Sequence, residues 1–154
     1  MVTKTTRYAL RILGYLVDHP GKRIQGQEIA QATGIPSNYL SKILSRLRKR
    51  GYVDARKGWG GGFLLCNKAL SVSLAEVLDA FRGTMAVDQR CVFELRNCDR
   101  RKPCPLHNDW ERVRNEYTGM LSRLSVQDLK SRTAGSLFSN EKTFVSFEIL
   151  KGSK

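Results

Sequence analysis

Residues 27–50, QEIAQATGIPSNYLSKILSRLRKR, carry the pattern that decides the fold of this chain. The first part predicts a short helix from about Gln27 to Thr33, and Gly34 is suited to close it in a left-handed conformation. A second helix is expected to start at the N-cap Ser37 and to run to Arg50. Two helices joined by a short turn that contains glycine indicate a helix-turn-helix motif.

The second helix of this motif has two chemically different faces. Its apolar residues recur at helical spacing and should enter the core: Leu40, Ile43, Leu44 and Leu47. In a helix-turn-helix, the first residues of this helix reach base edges in the major groove of DNA. The candidates for that role are Asn38, Tyr39, Ser41 and Lys42. Cations further along bind phosphates, which position a protein without reading sequence: Arg46, Arg48, Lys49 and Arg50. A solvated polar face is the alternative interpretation.

The segments on either side of the motif complete a winged helix-turn-helix over residues 1–83. Apolar residues at steps of three and four predict a preceding helix from Thr5 to Asp18. After the motif, strands Tyr52–Arg56 and Phe63–Cys66 are expected to form a hairpin around the glycine-rich residues 57–62. This hairpin is the predicted wing, and its candidate DNA contacts are Arg56, Lys57 and Trp59. We therefore expect a mostly α-helical fold with a small β-hairpin.

The charge distribution agrees with a polyanionic partner. The chain of 154 residues carries a net charge of +13, and residues 1–70 hold 13 Lys/Arg against 3 Asp/Glu. No run of apolar residues is long enough to span a membrane, and the N-terminus has no apolar segment of a signal peptide. No catalytic constellation is visible either. We expect a cytoplasmic protein that binds DNA and is not an enzyme.

Residues 91–107, CVFELRNCDRRKPCPLH, contain three of the four cysteines and one of the two histidines. The donors are Cys91, Cys98, Cys104 and His107, with the spacing C-x6-C-x5-C-x2-H. Thiolate and imidazole are ligands of iron–sulfur clusters and of zinc. Zinc sites more often contain paired C-x2-C units, so a cluster is favoured. A Cys₃His zinc site and a thiol sensor activated by the neighbouring arginines remain alternatives.

The rest of the chain predicts a region through which two copies of the protein pair. Ser73 and Glu76 form a capping box for a linking helix that ends at Gly83. A long helix should follow the cysteine loop, from a cap at Asn108 or Asp109 to about Leu124, and its apolar stripe is Trp110, Val113, Tyr117, Met120, Leu121 and Leu124. Pairing of residues 109–124 with a second copy would cover this stripe; packing within one chain is the alternative. The predicted regions are thus 1–83, the cysteine loop 84–108, the dimerisation region 109–131 and a tail 132–154.

Several of these motifs together resemble the Rrf2 family of bacterial transcription regulators over roughly residues 1–130. The similar stretches are the sequence from Ala9 onward, the helix start 37–40, the wing 57–63, and the cysteine loop with its Cys-Pro-Leu-His end at 104–107. The resemblance implies a winged-helix homodimer that binds a palindromic operator. It also implies an iron–sulfur cluster that responds to iron, cluster supply, redox state or nitric oxide.

The resemblance extends to individual ligands. Cys91, Cys98 and Cys104 match the three cysteine ligands of the family, and His107 matches the residue that completes a [2Fe–2S] site in some members, which favours this cluster over [4Fe–4S]. The gap after Cys91 is one residue longer than in those members. Arg7 stands where nitric-oxide-sensing relatives carry an acidic ligand, and Lys57 stands where the wing usually has arginine.

Overall fold

The computed structural model describes residues 3–81, 91–93 and 98–130. The predicted helix end at Gly83, most of the linking segment before Cys91 and the predicted tail lie outside these residues. The helices are α1 Lys4–Val17, α2 Gly26–Thr33, α3 Ser37–Lys49, α4 Leu74–Phe81 and α5 His107–Arg123. The strands are β1 Val53–Arg56 and β2 Gly62–Leu65, and 3₁₀ turns cover Asn67–Ala69 and Val126–Leu129. Within the described residues, no helix combines the length and apolarity needed to cross a bilayer.

Helix α1 is the centre of the core, and its bounds differ by one residue from those predicted. The hydroxyl of Thr3 caps it by accepting a 3.1 Å hydrogen bond from the Thr6 amide. Its apolar face is fully or almost fully buried at Ala9, Ile12, Leu13 and Leu16. Because α2, α3 and α4 all pack against this face, α1 sets the positions of the helix-turn-helix and of the linking helix together.

The helix-turn-helix is confirmed, with one correction at its second helix. Gly34 closes α2 at φ 66°, as predicted. Ser37 is not the N-cap but the first helical residue, because the carbonyl of Pro36 accepts the amides of Tyr39 and Leu40, each at 2.9 Å. The predicted apolar side chains of α3 are all buried: Leu40, Ile43, Leu44 and Leu47. This burial leaves the polar face of α3 outside.

The wing is an antiparallel hairpin in which Val53 pairs with Leu65 and Arg56 pairs with Gly62. It is also attached to the loop before α2, because Ile24 and Phe63 exchange backbone hydrogen bonds of 2.9 and 2.8 Å. Gly62 has φ 124°, and a Cβ there would lie 2.7 Å from the carbonyl oxygen of Ile24. Only glycine therefore permits this close approach.

Helix α5 returns to the core rather than standing apart from it. Leu121 and Val126 are buried in the same apolar cluster as α1 and α4. The amide of Leu74 donates to Leu124 at 2.8 Å, and that of Val126 donates to Val72 at 2.9 Å, so the end of α5 is fastened beside the start of α4. Of the capping box predicted for α4, the structure contains the bond from the Glu76 amide to Ser73 Oγ, at 3.2 Å.

Candidate DNA-binding surface and cysteine–histidine site

The start of α3 presents a polar, solvent-exposed surface. Asn38, Tyr39, Ser41 and Lys42 are all exposed. Ser41 Oγ donates to the Ser37 carbonyl at 3.0 Å, and Asn38 Oδ1 accepts from the Tyr39 amide at 2.9 Å. Their remaining hydrogen-bonding capacity faces outward. This is the part of a helix-turn-helix that enters a major groove.

The basic residues of α3 do not all behave alike. Arg48 and Lys49 are exposed, as a phosphate contact requires. Arg46 instead donates from Nη2 to the carbonyl of Ala80 at 2.8 Å, and its guanidinium carbon lies 4.7 Å from the centroid of the Phe81 ring. Arg46 is exposed as well, so its phosphate contact stays a prediction, and its guanidinium also joins α3 to the end of α4. Helical spacing alone does not reveal this, because α4 is distant in sequence.

The wing projects its predicted DNA contacts into solvent. Arg56 and Lys57 are exposed, and Trp59 at the tip is fully exposed, at 104%. Two residues that sequence reasoning missed hold this hairpin in place. Gln25 Nε2 donates to the Gly61 carbonyl at 2.9 Å, and Arg23 pairs with Asp54. Both precede α2 in an irregular loop, where no periodic signal points to them.

The four predicted ligands form two close pairs. Cys91 Sγ lies 3.7 Å from Cys104 Sγ, and Cys98 Sγ lies 3.3 Å from His107 Nδ1. The sulfur–sulfur distance is too long for a disulfide. Two thiolates bound to one tetrahedral metal at about 2.3 Å stand about 3.8 Å apart, and a thiolate with an imidazole stands about 3.5 Å apart. Each pair thus has a spacing suited to one metal ion.

His107 is a buried polar group whose second ring nitrogen has no partner among the described residues. The residue is 6% exposed, and Nε2 makes no hydrogen bond within the described part of the chain. It is also the first residue of α5, and its amide donates to the Cys104 carbonyl at 3.0 Å. Among the described residues, no three Cys, His, Asp or Glu side chains converge as a single metal site.

Glu111, one turn after His107, organises the charges beside the site. Arg100 binds its carboxylate through Nη2 at 2.6 Å and Nε at 3.0 Å, and Arg114 lies 3.9 Å away. The hydrogen bond from Arg100 is the main cause that lowers the pKa of Glu111, and the charges of Arg100 and Arg114 add to it. The sequence grouped Arg100 with the arginines that could activate a thiol sensor, and it pointed to no role for Glu111. Its i, i+4 spacing from His107 is the signal that could have found it.

An exposed recognition helix, a glycine-rich wing and a strongly basic N-terminal half define a DNA-binding protein of the winged helix-turn-helix class. Within that class, the chain belongs to the Rrf2 family, whose model, described as an iron-dependent transcriptional regulator, matches residues 2–132. It is therefore a transcription regulator and not an enzyme. The predicted family and the predicted fold class are both confirmed.

Individual relatives agree with this assignment. The chain is 30% identical over 129 residues to the HTH-type transcriptional regulator IscR of Escherichia coli. The matched region covers 83% of this chain and 78% of that protein. The fold is similar to that of T. potens IscR, with a TM-score of 0.63 at 19% identity over 84% of this chain and 85% of the other. It is also similar to CymR, the global cysteine regulator of B. subtilis, with a TM-score of 0.68 at 24% identity. This match covers 87% of this chain and 98% of the other.

Proposed function

We propose that this regulator binds a specific DNA sequence with an affinity controlled by an iron–sulfur cluster at Cys91, Cys98, Cys104 and His107. The observation that carries the proposal is the division of these donors into a sulfur–sulfur pair and a sulfur–nitrogen pair. A [2Fe–2S] cluster takes two protein ligands on each iron, and imidazole can replace thiolate there. A [4Fe–4S] cluster takes one protein ligand on each iron, so its ligands stand farther apart. The two-iron form is therefore favoured.

The family description and the similarity to IscR support iron as the controlling element. When bound, the cluster would supply a redox-active group whose presence depends on iron, cluster supply, redox state or nitric oxide. A regulator that acts on DNA in this way would work in the cytoplasm.

A continuous series of protein contacts connects the cysteines with the recognition helix. His107 is both a donor and the first residue of α5, so a ligand bond there would tie the cysteine segment to this helix. Helix α5 packs against α4, and the Ala80 carbonyl at the end of α4 accepts a hydrogen bond from Arg46 of α3. Cluster binding can therefore alter the DNA-binding surface through packed elements that each have defined contacts.

The proposed DNA contacts occupy two elements. Base edges are read by the exposed start of α3, through Asn38, Tyr39, Ser41 and Lys42. The backbone and an adjacent minor groove are contacted by Arg48 and Lys49 on α3 and by Arg56, Lys57 and Trp59 on the wing. A homodimer through residues 109–124 would set two such surfaces about 34–36 Å apart, which corresponds to one turn of a palindromic operator.

The proposal is tested first by comparing two cysteine variants purified without oxygen. Cys98→Ala removes one donor of the sulfur–nitrogen pair, whereas Cys66→Ala removes the fourth cysteine, which lies after β2 and outside the site. Visible absorption, iron and acid-labile sulfide are measured on each sample, and DNA affinity is measured before and after cluster removal.

We expect wild type and Cys66→Ala to contain matched iron and sulfide and to change DNA affinity when the cluster is removed. Cys98→Ala should lose the visible bands and this response, because three protein donors leave one iron incompletely ligated. If the wild type stays colourless after reconstitution with iron and sulfide, the cluster proposal is wrong. The proposal that the protein binds DNA would still stand.

The alternative is a DNA-binding regulator that uses zinc or unligated thiols at the same residues. A thiol mechanism is favoured by one observation: Cys91 and Cys104 sulfurs are only 3.7 Å apart. A small movement would let them form a disulfide, with both electrons passing to a disulfide oxidant such as oxidised glutathione. Zinc would instead require all four donors around one ion.

A further inference from the structure

The first turn of α1 lies beside the recognition helix, where three side chains form a cluster. Lys4 Nζ is 5.7 Å from the ring centroid of Tyr8 and 5.7 Å from that of Tyr39. The two rings meet nearly edge to face, with their centroids 6.3 Å apart. Tyr39 is in the first turn of α3 and is 47% exposed. The Lys4 ammonium therefore stands at the border of the surface proposed to read base edges.

Lys4 is held by two aromatic rings, and none of the described residues gives it an acidic partner. Within the described part of the chain, none of the ion pairs includes Lys4, and the first turns of α1 and α3 contain no acidic residue. Each aromatic ring attracts an ammonium placed over its face. Two rings thus restrict the lysine while its three N–H donors remain available to a ligand. Arg7, on the next part of α1, is also exposed and basic.

We propose that Lys4, oriented by Tyr8 and Tyr39, binds a backbone phosphate next to the bases that α3 reads. The DNA-binding surface then extends from α3 and the wing onto α1, to which sequence reasoning assigned no contact. A phosphate contact here fixes the orientation of α3 in the groove without reading sequence. The inference rests on the proposed DNA binding by α3, so its test separates the two.

The test uses the full chain, purified without oxygen and matched in iron and sulfide content. One probe is a duplex selected by the wild-type protein from a random-sequence pool, and the other is a scrambled duplex of the same composition. Lys4→Gln removes the ammonium and keeps a side chain of similar length. Lys130→Gln makes the same change of charge at the far end of the described residues and is the matched control.

We expect Lys4→Gln to weaken binding to both duplexes by a similar factor, about 3- to 10-fold at ~0.1 M salt, because a phosphate contact is independent of sequence. The slope of log affinity against log salt should fall by about 1 in magnitude. Lys130→Gln should keep the wild-type slope, and thermal denaturation should show that both variants are folded.

Phosphate ethylation interference provides a second readout. In each half-site, the proposal requires one phosphate whose ethylation weakens the wild type but no longer affects Lys4→Gln. If the salt slope and the interference pattern of Lys4→Gln equal those of a wild type that binds its selected duplex, the proposed contact is wrong and DNA binding stands. If the wild type selects no duplex, the proposed function itself fails.

Discussion

Arg46 and Arg48 stand two residues apart on α3, yet their guanidinium groups meet different surroundings. Arg46 is hydrogen-bonded to Ala80 and stacked over Phe81, whereas Arg48 points into solvent. A cation that already satisfies a carbonyl at a helix end stabilises the protein, because carbonyls in the last turn have no partner within their own helix. The two residues therefore form a natural pair for separating stability from DNA binding.

Arg46→Met keeps an unbranched apolar side chain and removes the hydrogen bond and the cation. We expect the free energy of unfolding to fall by about 1–2 kcal/mol, with little change in the salt dependence of DNA binding. Arg48→Met should leave the free energy of unfolding unchanged. The slope of log DNA affinity against log salt should fall by about 1 in magnitude. Denaturant titration and binding at several salt concentrations measure both quantities. An unchanged stability of Arg46→Met would contradict the role in joining α3 to α4.

At the scale of elements, the wing is a two-stranded hairpin, and such hairpins are marginally stable alone in water. Here the loop before α2 supports it through the Ile24–Phe63 backbone pair, the Gln25–Gly61 hydrogen bond and the Arg23–Asp54 ion pair. The Arg23 hydrogen bond is the largest cause of the lowered pKa of Asp54, and the charges of Arg23 and Arg56 contribute. One of these three supports of the wing therefore depends on the ionisation of an exposed carboxyl.

This ion pair predicts the sign of a pH effect. A carboxyl whose pKa is lower in the folded protein stabilises the fold above its ordinary value of about 3.9, and this contribution is lost as the pH falls below that value. Asp54→Asn should therefore melt at a lower temperature than the wild type at neutral pH. The difference in melting temperature between the two proteins should shrink as the pH falls below about 3.9. If the difference in melting temperature stays constant down to the lowest pH measured, the Arg23–Asp54 pair does not act through charge.

At the scale of the whole molecule, α5 has one side in the core and another that no described residue covers. Leu121 is 6% exposed, but Leu106, Val113, Met120 and Leu124 are 36–51% exposed. Together with Trp110 and Tyr117, these residues alternate at steps of three and four, which is the spacing of a coiled-coil seam. The predicted stripe is thus divided between the core and a surface suited to a second copy.

Val113→Glu should prevent this pairing, because a carboxylate would be buried in an apolar interface. We expect the dimer dissociation constant to rise roughly 100-fold or more. Affinity for a palindromic duplex should fall with it, while a single half-site is bound as before. Asn115→Glu adds the same charge at an exposed polar position of α5 and is the control. Sedimentation that finds Val113→Glu still dimeric would exclude this face as the interface.

The N-terminal half was predictable because its signals are local. Turn glycines and the apolar spacing of α1 and α3 depend only on neighbours in the chain, and the helix bounds agree within one residue. The cysteine spacing likewise indicated a ligand set. The error over Ser37 as the N-cap and the missed contact of Arg46 with Ala80 both depend on which backbone group a side chain or carbonyl meets in three dimensions.

By itself, the sequence determined the family, the order of the helices and wing, the basic half and the four candidate ligands, because each follows from composition and spacing. Tertiary structure alone decided how those ligands pair, that Arg46 faces α4, and that Lys4 stands beside Tyr39. It also divided the stripe of α5 between core and surface. Such contacts join residues far apart in the chain, and their geometry is set by the packing of whole helices.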